Sequence, residues 1–208
     1  MLSSKGRVVT NAMFGPVARL LVRAGVSPDA VTVTGTVLSV GLALWLLPAG
    51  QFVVGPFAIA AVVLIDSVDG LMARIRGQST RWGAFLDSTL DRLSDAAIFT
   101  GLTLWAVHND DQWVLGTALA CLVLGSVVPY ARARAEGLGL QASGGIAERA
   151  DRLFLTLAAI LAVGLGAPPA VLAGALGLLA VASLYTIGQR MTAVHRQTRD
   201  DSTTDEVS

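Results

Sequence analysis

Residues 66–95 read DSVDGLMARIRGQSTRWGAFLDSTLDRLSD, and they hold five aspartates between two apolar stretches, AIAAVVLI (58–65) and AAIFTGLTLWAV (96–107). Charged side chains inside a membrane segment are costly, so they usually face a protein interior or a water-filled cavity and mark function. This stretch therefore decides the fold class and also locates the first candidate site.

The composition of the whole chain indicates a polytopic membrane protein. Of its 208 residues, 53% are hydrophobic and 14% are charged, whereas soluble domains carry roughly 25% charged residues. Six apolar segments have the length of about 20 residues that a bilayer requires, and they are roughly 28–48, 52–75, 80–107, 113–136, 147–166 and 168–192. We therefore predict an all-α fold with six transmembrane helices, forming one membrane domain over residues 1–196. No nucleic-acid partner is expected.

The two ends of the chain differ from this membrane domain. Residues 1–25 carry a loose apolar stripe, which predicts a cytoplasmic helix lying on the inner membrane surface, although simple packing on other helices is the alternative. Ser27 is a suitable helix cap and Pro28 suits a first helical position. Residues 197–208 are polar, and we predict a disordered cytoplasmic tail.

The basic residues predict the orientation of the chain in the membrane. There are fifteen lysines and arginines, and the alternate loops at 48–52, 108–112 and 166–169 contain none of them. Basic residues accumulate on the cytoplasmic side, so a multi-pass protein of the cell membrane with both termini cytoplasmic is predicted. Trp82, near an inner segment end, is typical of an interface anchor.

Four of the aspartates are spaced to form one cluster. Asp66 and Asp69 are three residues apart, and Asp87 and Asp91 are four apart, so each pair shares a helix face. If the two segments form a hairpin around the turn at 74–81, the four carboxylates come level, roughly 10–15 Å below the cytoplasmic interface.

Four ionised carboxylates need positive charge beside them. Oxygen-only ligands suit Mg²⁺, Mn²⁺ or Ca²⁺, and a pair of such ions is a known device for phosphoryl chemistry. A structural ion-pair cluster with Arg74 and Arg92 is one alternative, and a cation transporter is another.

The spacing also resembles a known family. The pattern Asp-x2-Asp-Gly-x2-Ala-Arg-x8-Gly-x3-Asp-x3-Asp, eight fixed positions over the 26 residues 66–91, is that of the CDP-alcohol phosphotransferases. The resemblance implies a six-helix membrane enzyme, usually a homodimer. Such an enzyme transfers a phosphatidyl-type group from a CDP-linked lipid to an alcohol and releases CMP.

The resemblance also implies roles for individual residues. Two divalent ions, Mg²⁺ with Mn²⁺ as the alternative, would be held by Asp66, Asp69, Asp87 and Asp91. Asp91 would in addition be the general base. Residues 29–32 (DAVT) resemble a family stretch that touches the CDP-lipid, although they could be only a helix start. The CDP-lipid pocket would thus comprise Asp29, Ala30, Val31, Thr32, Asp66, Asp69, Gly70, Ala73, Arg74, Thr80 and Gly83.

The second half of the chain bears on the acceptor alcohol. Its arginines suggest an acceptor that carries its own phosphate, because guanidinium groups bind phosphate well. The stretch 132–153 resembles the phosphatidylinositol-phosphate synthases of actinobacteria, which implies inositol 3-phosphate as acceptor. The implied pocket is Arg132, Arg134, Arg152 and Arg190. Glycerol 3-phosphate, giving phosphatidylglycerophosphate, is the nearest alternative, and an inactive scaffold or ion-binding membrane protein is a third.

Overall fold

The structure, a computed structural model, describes residues 15–75, 80–142, 144–146 and 149–205, and all regular secondary structure in these ranges is helical. The first helix, α1, is described over residues 15–23. The others are α2 (Pro28–Leu46), α3 (Val54–Ile75), α4 (Arg81–His108), α5 (Gln112–Glu136), α6 (Arg149–Gly164) and α7 (Pro169–Asp205). The predicted all-α fold is confirmed.

Four of the described helices are long and apolar enough to cross a membrane, namely those covering Pro28–Leu46, Val54–Met72, Gln112–Glu136 and Pro169–Arg199. The other two predicted spans correspond to α4 and α6. Helix α4 carries Asp87, Asp91, Arg92 and Asp95, which lowers its hydropathy. Helix α6 is described over 16 residues, fewer than the roughly 20 that a bilayer core requires.

The start of α2 follows the local sequence signals. Ser27 is the N-cap, with its side chain accepting a hydrogen bond of 3.2 Å from the backbone N–H of Ala30. Pro28 occupies the first turn, where its missing N–H leaves no hydrogen bond unmade. The predicted cap is therefore confirmed, and it fixes where the DAVT stretch begins.

The chain divides into two compact units, Met1–Ile98 and Phe99–Ser208. In the first unit α2 packs on α3. Ala18 of α1 is buried together with Val68, Leu71 and Met72 of α3. On the same short helix Leu20 is 67% exposed. One face of α1 thus packs on a neighbouring helix. The predicted surface helix at 1–25 lies partly outside the described residues.

In the second unit α7 packs against both α5 and α6. The thiol of Cys121 on α5 is buried and donates a hydrogen bond of 3.1 Å to the carbonyl oxygen of Leu176 on α7. Such sulfur contacts and close apolar packing hold the two helices together.

The end of α7 departs from the predicted disordered tail, because residues 197–205 continue the helix. The physical reason lies in Gln197. Its side-chain oxygen accepts from the backbone N–H of Gln141 at 2.9 Å, and its amide donates to the Gln141 carbonyl at 2.6 Å. This paired contact with the α5–α6 connection anchors the helix beyond its apolar part.

Candidate active site

The predicted metal-binding aspartates lie on α3 and α4. Asp87 is exposed and Asp91 lies one turn further along α4, with its side chain 16% exposed. Asp66 and Asp69 belong to helix α3, but their side chains lie outside the described residues, as do those of Ala73 and Arg74. Of the four carboxylates, the structure therefore describes the side chains of Asp87 and Asp91.

The alternative of an ion-pair cluster can be examined at Arg92. One of its terminal nitrogens, Nη2, lies 3.7 Å from Oδ2 of the adjacent Asp91. The Nε of Arg92 is buried without a hydrogen-bond partner among the described residues. A single contact of this length is a weak ion pair. The other arginine of this alternative, Arg74, has its side chain outside the described residues.

The first turns of α2 and α4 meet in the first unit. The indole Nε1 of Trp82 donates a hydrogen bond of 3.0 Å to Oδ2 of Asp29. The hydroxyl oxygen of Thr80 accepts from the backbone N–H of Gly83 at 2.9 Å, as a helix N-cap does. A Cβ at Gly83 would lie 3.2 Å from Thr80 Oγ1 and 3.9 Å from Asp29 Oδ1. Three residues predicted to line the CDP-lipid pocket are thus neighbours.

Trp82 is the residue of this cluster that sequence reasoning missed. It was predicted only as an interface anchor, and its bond to Asp29 joins positions 53 residues apart in the chain. The available signal was its position between Thr80 and Gly83, both of which belong to the predicted pocket.

An apolar groove of about 260 Å³ runs between α2 and α3. It is lined by Val26, Ala30, Val31, Thr34, Gly35, Leu38, Val62 and Ile65. Ala30 and Val31 belong to the predicted CDP-lipid set. Thr32 does not line the groove: it is 5% exposed and its hydroxyl donates to the Pro28 carbonyl at 3.1 Å. Gly70 on α3 is exposed, and a Cβ there would meet no atom within 4 Å.

The four predicted acceptor arginines divide into two pairs. Arg152 on α6 is 3% exposed, and its Cζ lies 3.7 Å from where a Cβ of Gly125 on α5 would stand. Arg190 on α7 donates through Nε to the Gly144 carbonyl at 3.2 Å and through Nη1 to the Val128 carbonyl. The structure thus brings Arg152 and Arg190 to the same part of α5.

The other two arginines lie on the outside of α5. Arg132 pairs with Glu136, one turn along the same helix, at 2.8 Å, and both side chains are 56% exposed. Arg134 is also exposed. Exposed pairs of this kind contribute little to stability. The structure therefore does not bring Arg132 and Arg134 together with Arg152 and Arg190.

A glycine loop is held against α7 beside Arg190. The hydroxyl oxygen of Thr186 accepts from the backbone N–H of Ile146 at 3.3 Å, and the hydroxyl donates to the Ala182 carbonyl at 2.8 Å. Gly145 has φ +138°, and a Cβ there would stand 2.3 Å from Cγ2 of Thr186. Only glycine fits this position. Gly144 and Gly145 are adjacent in the sequence, but no local pattern indicates the threonine that holds them.

Comparison with known proteins identifies the family of this chain. The profile of the CDP-alcohol phosphatidyltransferase family matches residues 25–185. A phosphatidylinositol phosphate synthase of Streptomyces avermitilis is 44% identical over 96% of this chain and 85% of its own. A protein of the same name from Cutibacterium acnes is 47% identical over 88% of this chain and 93% of its own.

Solved structures of the Mycobacterium tuberculosis phosphatidylinositol phosphate synthase share the fold. The one with CDP-DAG bound has a TM-score of 0.84 at 43% identity, covering 88% of this chain and 94% of that one. The one in complex with manganese and citrate has a TM-score of 0.82 at 43% identity, covering 86% and 87%. This chain therefore belongs to the CDP-alcohol phosphatidyltransferase family.

Proposed function

We propose that this protein transfers the phosphatidyl group of CDP-diacylglycerol to 1D-myo-inositol 3-phosphate, giving phosphatidylinositol phosphate and CMP. The observation that carries this assignment is the 44–47% identity to phosphatidylinositol phosphate synthases over most of both chains. The matched region includes both the aspartate signature and the arginines of the second unit. The reaction would serve phospholipid biosynthesis.

The chemistry of the donor set fits a divalent metal. The residues that would hold it are Asp66, Asp69, Asp87 and Asp91, whose oxygen-only ligands suit two hard ions, Mg²⁺ with Mn²⁺ as the alternative. The manganese complex of the mycobacterial relative supports this proposal. When bound, the ions supply positive charge that stabilises the pyrophosphate and the departing CMP.

Asp91 is the proposed general base. Its carboxylate would accept the proton of the acceptor hydroxyl as that oxygen forms a bond to the phosphorus that carries the diacylglycerol. The bond from this phosphorus to the CMP oxygen then breaks, and CMP leaves with the electron pair.

The proposed CDP-lipid pocket combines the cluster at Asp29, Thr80 and Gly83 with the predicted residues of α3, namely Asp66, Asp69, Gly70, Ala73 and Arg74. Small residues admit the nucleotide, and Arg74 would pair with phosphate. Ala30 and Val31 line the apolar groove of about 260 Å³, which supports contact with the lipid part. The acyl chains would enter sideways from the bilayer.

Arg152 and Arg190 are the principal proposed ligands of the acceptor phosphate. Arg152 lies near Gly125 and Arg190 reaches Val128 on the same helix, α5, and guanidinium groups bind phosphate well. Arg132 and Arg134 would attract the acceptor from the rim through their exposed charge.

The proposed setting is the cell membrane. Helices α4 and α6 would be the third and fifth of six spans, and both termini would be cytoplasmic, as the distribution of basic residues predicts. Residues 1–25 would include the interfacial helix, and the membrane domain would extend over 1–196. The protein is proposed to be a homodimer.

A product assay on purified protein tests the function directly. CDP-diacylglycerol and Mg²⁺ are supplied, and inositol 3-phosphate, free inositol, glycerol 3-phosphate and serine are offered separately. Phosphatidylinositol phosphate from the first acceptor alone, identified by mass spectrometry, is the expected result. Phosphatidylglycerophosphate instead would overturn the acceptor while keeping the reaction class.

A further inference from the structure

Trp82 lies inside the family signature region but at none of its fixed positions. Its indole N–H donates a hydrogen bond of 3.0 Å to Oδ2 of Asp29. We infer that Trp82 is a positioning residue, which turns the Asp29 carboxylate toward the nucleotide of the CDP-lipid. This inference rests on the proposed function, because it takes Asp29 to be part of the CDP-lipid pocket.

The two carboxylate oxygens of Asp29 have different neighbours. Oδ2 accepts the indole hydrogen, while Oδ1 faces the signature glycine, 3.9 Å from the position of a Cβ at Gly83. An ionised carboxylate only accepts hydrogen bonds. The oxygen that faces Gly83 would therefore accept a hydroxyl or amino hydrogen of the nucleotide.

The indole also contacts a second aromatic ring. On its own helix Phe85 lies with its ring centroid 6.0 Å from that of Trp82, at an interplanar angle of 32°, within the range of favourable aromatic pairs. The N–H of an indole is its only hydrogen-bond donor. A supported ring with one donor can fix the rotation of Asp29 before the ligand arrives, which lowers the entropy cost of binding.

A purely structural role makes a different prediction. Trp82 is 58% exposed, as an interface anchor can be. If Trp82 only joined α2 to α4 or held the helix at the membrane surface, its loss would lower thermal stability. It would then also weaken the binding of both substrates to the same extent. A positioning role affects the binding of the nucleotide alone, and the effect requires the presence of Asp29.

A double-mutant cycle separates these roles. Trp82→Phe keeps an aromatic ring beside Phe85 but removes the N–H, and Asp29→Ala removes the acceptor. CDP binding is measured by titration calorimetry with Mn²⁺ for the wild type, both single variants and the double variant. We expect Trp82→Phe to weaken CDP binding about five-fold. In the Asp29→Ala background the same change should have no further effect.

Kinetics provide the second readout. In Trp82→Phe the KM for CDP-diacylglycerol should rise while kcat, the acceptor KM and the melting temperature stay as in the wild type. Unchanged CDP affinity in Trp82→Phe overturns the inference, and so does an equal loss in both backgrounds. If the cycle shows coupling but no phosphatidylinositol phosphate forms, the inference stands and the acceptor assignment falls. A wild-type protein without CDP affinity overturns both.

Discussion

Replacing Gly145 by alanine should destabilise the second unit more than the same change at the neighbouring Gly144. The backbone there has φ +138°, a region that side chains rarely adopt, and the new Cβ would stand 2.3 Å from Cγ2 of Thr186. Backbone strain of this kind costs about 1–3 kcal/mol. Overpacking against a buried neighbour costs about as much again. The expected loss is therefore about 2–6 kcal/mol in the free energy of unfolding.

The neighbouring glycine offers a matched control. Gly144 has φ +123°, but a Cβ there would meet nothing within 4 Å. Gly144→Ala thus carries the strain without the clash. Thermal unfolding of detergent-purified protein should show Gly145→Ala melting roughly 5–15 °C below the wild type. The melting temperature of Gly144→Ala should lie between those of the wild type and Gly145→Ala.

A second substitution tests the identity of the clashing atom. Thr186→Ser removes Cγ2 but keeps the hydroxyl that accepts from Ile146 N–H. Added to Gly145→Ala, it should recover part of the lost stability, since the strain and the 3.2 Å approach to Oγ1 remain. Equal melting temperatures for the two alanine variants, with no recovery from serine, would refute this reasoning.

Three further predictions concern the proposed chemistry. Asp91→Asn should abolish product formation while leaving the melting temperature within a few degrees of the wild type, because only the base is lost; full turnover would remove Asp91 from that role. Excess EDTA should stop the reaction and added Mg²⁺ or Mn²⁺ should restore it, whereas activity that persists in EDTA contradicts a metal mechanism. Arg152→Ala should raise the acceptor KM on the order of ten-fold and the CDP-lipid KM far less. Arg132→Ala should raise the acceptor KM less than Arg152→Ala does, because the Arg132 side chain is exposed and paired with Glu136. Equal effects of Arg152→Ala on both substrates would indicate a folding defect.

The helices were largely predictable because their signals are local. The predicted segments 80–107 and 113–136 correspond to Arg81–His108 and Gln112–Glu136, within the usual uncertainty of helix ends. Ser27 indicates the start of α2, because its side chain caps the helix. The extension of α7 was missed because it depends on the contact between Gln197 and Gln141, 56 residues apart, which no local pattern indicates.

The candidate site likewise has some features that local sequence signals predict and others that depend on tertiary contacts. The spacing of the aspartates put Asp87 and Asp91 on one helix face, since that follows from helical geometry alone. The pairing of Arg132 with Glu136 also follows a local rule, the i,i+4 ion pair. The two contacts of Arg190 with backbone carbonyls of Gly144 and Val128 depend on tertiary packing. Sequence alone could name this arginine but not its partners.

The buried thiol of Cys121 makes the native chain a ready background for site-directed labelling. It is the single cysteine of the sequence, and it is 1% exposed. Its thiol donates a hydrogen bond to the carbonyl oxygen of Leu176. A maleimide should therefore leave the unmodified protein unlabelled. Gln51→Cys and Arg196→Cys each introduce a thiol at an exposed position, at opposite predicted faces of the membrane. With an impermeant reagent on intact cells, only the first should react.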